Sequence, residues 1–147
     1  MRERLVEDTP SRGPREVVLH GLLAYLGQMR EFVSSGTVWL DGPFVTRDDN
    51  FRHPALTLVL FPANLREIDL LNPDRLDKLT AMFTIRDVIV GDSGHTRYID
   101  RLDPVGTHIA AHLGSFEDEE MWSEWCSRVD GDLGVTSTAK GYVEVEL

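Results

Sequence analysis

The run Ala55-Leu-Thr-Leu-Val-Leu-Phe61, closed by Pro62, constrains this chain more than any other feature. It has the length of one strand and almost no polar face. A strand of that kind has to lie centrally in a sheet that is covered on both sides. The rest of the chain must therefore supply neighbouring strands and the layers that cover them.

Residues 14–35 offer the first such layer. Val18, Leu22, Tyr25, Leu26, Met29 and Val33 recur at helical spacing. Pro14 suits a first helical position, Glu16 suits the positive end of the helix dipole, and Gly36 stops the element. Leu19, Leu23 and Phe32 widen the apolar face, so this helix should lie against a sheet. Thr37–Asp41 then reads as a strand, Gly42-Pro43 as a turn, and Phe44–Thr46 as a resumed strand before the polar tip Arg47-Asp-Asp-Asn50.

Residues 63–79 read as a loop with a short helix from Pro73 to Leu79, capped by Asn72. Residues 80–91 read as a strong strand ended by Asp92-Ser-Gly94. Residues 95–114 place Tyr98, Leu102, Val105, Ile109 and Leu113 on one stripe and read as a second helix, kinked or restarted at Pro104 with Asp103 as its cap. Trp122, Trp125 and Val129 follow in a short helix or a twisted strand. Tyr142–Leu147 alternates as a half-buried antiparallel strand should. The order mixes helices and strands without strict alternation. It predicts an α+β two-layer sandwich, a mostly antiparallel sheet with two main helices on one face. Residues 1–13 are charged and end in Thr-Pro-Ser-Arg-Gly, which predicts a flexible N-terminal arm ahead of a single domain over 14–147.

The 147 residues suffice for one domain with a real core. One cysteine, Cys126, excludes an internal disulfide framework and a cysteine-based zinc finger. No apolar run approaches membrane-spanning length, and charge occupies the N-terminus where a signal peptide needs an apolar core. The expectation is a protein made in a reducing cytosol, with no membrane partner. The net charge is -10, and only Lys78 and Lys140 are lysines. So acidic a chain argues against phosphate-backbone binding as its main business, which needs a basic face.

The constellations that resemble chemistry are thin. His108 and His112 stand four apart on the expected second helix, the spacing that presents two imidazoles to one metal, but the glutamate base and a third ligand are missing. Asp87, Asp92, His95, Asp100 and Asp103 cluster beside the third expected strand, and Ser93 sits among them. Ser between Asp and Gly is ordinary turn chemistry, and no Gly-x-Ser-x-Gly elbow occurs. Asp41-Gly42 and Arg47–Asn50 lack the ligand spacing of a calcium loop. No phosphate-binding glycine motif is present. The expectation is a non-enzyme with no catalytic residues, no metal and no cofactor.

The element order itself resembles something. A long N-terminal helix leads into "Trp-Leu-Asp-Gly-Pro-Phe", then a polar tip, then "His53-Pro-Ala-Leu-Thr-Leu-Val-Leu-Phe"; a second long strand leads into a helix, and the chain closes on "Gly141-Tyr-Val-Glu-Val-Glu-Leu". Over residues 15–61 and 80–147 this is similar to the tail terminator and tail-completion proteins of long-tailed bacteriophages, the lambda U-type family. Residues 62–79 fit that pattern poorly.

The resemblance implies a structural virion protein, assembled in the host cytoplasm and located in the tail or neck. It implies a homo-oligomeric ring, commonly a hexamer, that caps the tail tube and meets the head-connector or stopper protein. DNA would pass through the lumen without specific binding, and the family has no catalytic residues to carry over. A ring subunit needs side patches. Aromatics beside charge make the candidates Phe44, Arg47, Asp48, Asp49, Phe51 and Arg52 at the tip, with Trp122 and Trp125 near the acidic stretch Glu117–Glu120. A small acidic binding protein, an immunity or anti-host factor that blocks a basic partner, is the alternative. A metal-dependent enzyme built on His95, His108, His112 and nearby aspartates comes third.

Overall fold

The apolar run forms a central strand in the computed structural model, which describes residues 3–7, 12–46, 55–84, 86–90, 96–100, 108–127 and 141–147. β2 (Leu56–Pro62) lies between β1 (Gly36–Asp41) and β5 (Ile109–Leu113), and β6 (Val143–Glu146) completes a four-stranded sheet of order β5-β2-β1-β6. β1 pairs antiparallel with β2 and with β6, whereas β5 runs parallel to β2. The fold is α+β, and its sheet is mixed rather than purely antiparallel.

Alternation along the strands divides two apolar layers. Val38, Leu40, Leu58, Leu60, Ile109 and Ala111 face one way, into the main core. Trp39, Val59 and Phe61 face the other way, into a smaller cluster with Cys126. The apolar run thus has to be apolar throughout, because each of its faces is buried.

The main core is closed by α1 (Arg12–Met29). Its predicted stripe of Val18, Leu22, Tyr25, Leu26 and Met29 is buried, and Val33 follows it in. Leu23, expected to widen that face, is instead exposed, as is Val17. The Tyr25 hydroxyl donates to the Met82 carbonyl at 3.0 Å, and burial pushes its phenol pKa up. The segment over residues 63–84 holds α3 (Arg66–Asp69) and α4 (Pro73–Thr80). The Asn72 side chain accepts the Arg75 N–H at 3.0 Å, the cap expected from sequence. Leu79 and Phe83 join the same core as α1. Between the two, Glu67 of α3 accepts from the Ser34 N–H at 2.8 Å and the Ser34 hydroxyl at 2.7 Å, tying α3 to the connection before β1.

Several expectations need correction. The second helix over 95–114 is replaced by β4 (Thr96–Asp100) and β5. The helical stripe there is shared by a strand whose first three residues are buried on both faces, and β pairing with β2 overrides the helix preference of Ala110 and Ala111. α4 adds its Leu79 to the core beside α1, while α5 (Glu119–Ser127) covers the opposite face of the sheet through Cys126. The strand expected from residue 80 begins at Arg86. β3 (Arg86–Val90) pairs antiparallel with β4 in a separate two-stranded sheet.

Phe44–Thr46 does not resume a strand. Pro43–Thr46 makes one helical turn, α2, with the Val45 and Thr46 N–H groups donating to the Gly42 carbonyl. Gly42 makes the corner at φ +105°, and a Cβ there would sit 3.1 Å from the Ala55 carbonyl oxygen.

Part of the expected N-terminal arm is packed as well. Glu3–Glu7 forms a turn of π-helix whose Leu5 and Val6 are buried in the main core. Arg15 of α1, itself fully buried, donates to the Leu5 carbonyl at 3.1 Å and holds that turn in place.

Candidate interaction surface

The second apolar layer is aromatic because β1 and β2 place their large rings on one face. Trp39 stacks on Tyr142 with centroids 4.1 Å apart and meets Phe61 at 4.7 Å. Its indole N–H donates to the Glu144 carboxylate at 3.0 Å, which satisfies its polar edge. Phe61 in turn stacks on Phe116 at 5.8 Å. Phe116 opens a 3-10 turn (Phe116–Asp118) in which the Ser115 hydroxyl and the Asp118 carboxylate bond at 2.7 Å.

α5 extends this layer past β5. Glu119 and Glu120 stand in its first turn, where the helix dipole favours negative charge. Cys126 turns into the sheet and Trp122 lies half-buried beside it. His112 of β5 meets Trp122 at 5.5 Å and Trp125 at 5.7 Å, and the two indoles pack edge-to-face at 5.6 Å. The trio fixes α5 against the sheet but leaves Trp125 41% exposed.

Between α4 and α5, along β5, runs a groove of about 400 Å³. Ile68, Leu76, Leu79 and Phe83 line one side, and His112, Leu113 and Trp122 the other. Phe116, just before α5, and Met121, within it, are each 55% exposed. Glu117, Asp118, Glu119, Glu120 and Glu124 are exposed on the same segment. The arrangement offers apolar surface bordered by fixed negative charge, which is equipment for recognition.

The predicted site residues therefore separate. Trp122 and Trp125 come together, with His112 between them. Phe44 is fully buried in the main core, where its ring packs under the Arg15 guanidinium, and it is withdrawn from any contact surface. Arg47, Asp48, Asp49, Phe51 and Arg52 lie outside the described residues. His108 stands at the bend before β5 and His112 within β5, not on a helix. Four residues at roughly 3.3 Å each hold them about 13 Å apart, too far to share one ion. Asp87 and Asp100 lie on β3 and β4, opposite Ile99 and Arg86. Asp92, Ser93, His95 and Asp103 are outside the described residues, and among those described no three His, Cys, Asp or Glu gather around a metal position.

Sequence reasoning missed Leu76, Leu113, Phe116 and Met121. The available signal was two apolar residues, Phe116 and Met121, bracketing an unbroken acidic run. None of the helices among the described residues is long and apolar enough to cross a membrane. Comparison with family models, with curated proteins and with solved structures finds no significant match to this chain.

Proposed function

We propose that the chain is a structural subunit that assembles with copies of itself into a ring. In this reading it acts as the phage tail terminators it resembles do, capping a tail tube and meeting a head-connector protein. The observation that carries the reading is the exposed apolar surface of Leu113, Phe116, Met121 and Trp125 beside the groove. A closed ring joins two different patches on each copy, and exposed apolar residues interleaved with charge suit one of them. The long helix α1, the buried strand β2 and the closing strand β6 keep part of the element order behind the resemblance, whereas β4 and β5 stand where it has a helix after the second long strand. A net charge of -10 suits a lumen through which DNA moves without sticking. The ring has no catalytic role in this reading.

Sedimentation velocity and native mass measurement test the proposal. A hexameric mass with annular particles in negative stain is expected. A chain that stays monomeric at every concentration reached overturns it. A monomer or dimer would favour the second reading, an acidic protein that binds and blocks a basic partner. The five exposed carboxylates over residues 117–124 support that alternative.

A further inference from the structure

We infer that the groove between α4 and α5 is a docking site for a basic amphipathic segment of a partner protein. Its apolar side chains enter the recess, and its Lys or Arg residues face the carboxylates of residues 117–124. The inference deepens the assembly reading and rests on it only in placing the contact surface here.

The recess is formed before anything binds. Leu79 and Phe83 belong to the main core and make its floor, while Leu76 and Leu113 are each 41% exposed at its lips. Preformed apolar recesses lose less ordering entropy on binding. Phe116, Met121 and Trp125, on the segment that carries the Trp122 wall, are exposed as well. A small molecule seated in the recess would leave that surface wet, whereas a protein segment lying across α5 covers it.

Charge selects the sign of the partner. From His108 to Ser127 the chain carries five carboxylates and no Lys or Arg. α4 is balanced, with Asp74 and Asp77 against Arg75 and Lys78, so the asymmetry comes from the α5 lip. A basic segment gains faster encounter and a fixed register from such a lip.

The mode of contact follows from β5. Its outer edge is closed at mid-strand, where the Thr84 N–H donates to the Ala111 carbonyl at 2.8 Å and the Ala111 N–H donates to the Thr84 hydroxyl at 3.1 Å. A partner strand cannot extend the sheet there. The partner is held by its side chains, as a helix laid in a groove is.

The test uses the full chain and a synthetic amphipathic helix of leucine and lysine, with a leucine–glutamate helix as its control. Calorimetry should show one-to-one binding of the lysine peptide that weakens as salt rises. E119Q with E120Q should weaken it at least about tenfold, and E144Q with E146Q on β6, at the far edge of the sheet, less than about twofold. Leu76→Ser with Leu113→Ser should weaken it likewise, while circular dichroism stays unchanged. Equal losses from the two glutamine pairs, or equal binding of the glutamate peptide, would overturn the inference. So would stoichiometric uptake of an apolar dye that the lysine peptide does not displace. A monomer that binds the peptide here removes the ring and keeps the docking site. A hexamer that binds no peptide keeps the ring and removes the docking site.

Discussion

Arg15 and Phe44 are joined twice: the guanidinium donates to the Phe44 carbonyl at 2.7 Å and lies 5.7 Å from the centre of the Phe44 ring. The same nitrogen donates to the Leu5 carbonyl. One fully buried cation thus gathers three segments far apart in sequence: the N-terminal turn, α1 and α2. Burying a guanidinium is costly unless acceptors replace its water, and here two main-chain carbonyls accept from its Nη1.

Arg15→Leu is expected to cost about 3 kcal/mol, because two buried carbonyls lose their donor and the stacked ring loses its partner. Arg12→Leu, one turn earlier and exposed in its ion pair with Glu16, should change stability by less than about 0.5 kcal/mol. Urea unfolding of the two variants checks the contrast, and equal losses would mean the buried pairing is not what holds the segments.

Deletion of residues 1–7 removes Leu5 and Val6 from the core. At about 1.5 kcal/mol or more for each buried side chain, the loss is about 3 kcal/mol, or roughly 6–12 °C in Tm for a chain of this size. An unchanged melting curve would return the segment to the free arm predicted from its charge.

Two glycine substitutions should act in opposite directions. Gly27 lies in α1, and nothing stands within 4 Å of the place a methyl group would take, so Gly27→Ala should stabilise the helix by about 0.5–1 kcal/mol. Gly42→Ala forces a side chain into the left-handed corner before α2 and should cost about 1–3 kcal/mol. Thermal melts of both variants read the sign directly.

Glu67 should make a visible contribution to pH dependence. The Ser34 N–H, and then its hydroxyl, hold the carboxylate below the ordinary range despite its exposure. A folded-state pKa below the unfolded one adds stability above the unfolded value, and that stability is lost as pH falls through the lowered one. Wild type should therefore exceed Glu67→Gln in stability at neutral pH, with the gap closing on acidification. A gap that is constant across the carboxylate range would show that Ser34 does not select the charged form.

Met121→Asp tests the assembly surface without touching the core, since its side chain is more than half exposed. Stability should fall by no more than about 1 kcal/mol. Self-association should disappear from sedimentation velocity if the ring reading is right, and persist if the contact lies elsewhere.

The central strand, the buried stripe of α1, the Asn72 cap and the alternating last strand were legible because each follows from a local rule of period or capping. β5 was not legible. A strand buried on both faces carries no alternation, and Ile109, Ala110 and Ala111 suit a helix until β2 is placed beside them. Arg15 was invisible for a related reason: nothing local marks a surface-type residue as one that is buried against the carbonyls of two distant segments. At the contact surface, Trp122 and Trp125 stood out by size, whereas the groove needed α4 and β5 brought together across more than thirty residues of sequence.

β6 pairs with β1 across a separation of 105 residues, measured from Trp39 to Glu144. During synthesis β1 and β2 can meet early, but the far edge of β1 stays open until almost everything between has emerged from the ribosome. Through that interval the nascent chain carries a half-built sheet with Trp39 uncapped by Tyr142, an edge to which a second nascent chain can bind. Translation speed and chaperone occupancy over the final third should therefore govern the yield of folded protein more than the stability of the finished fold does.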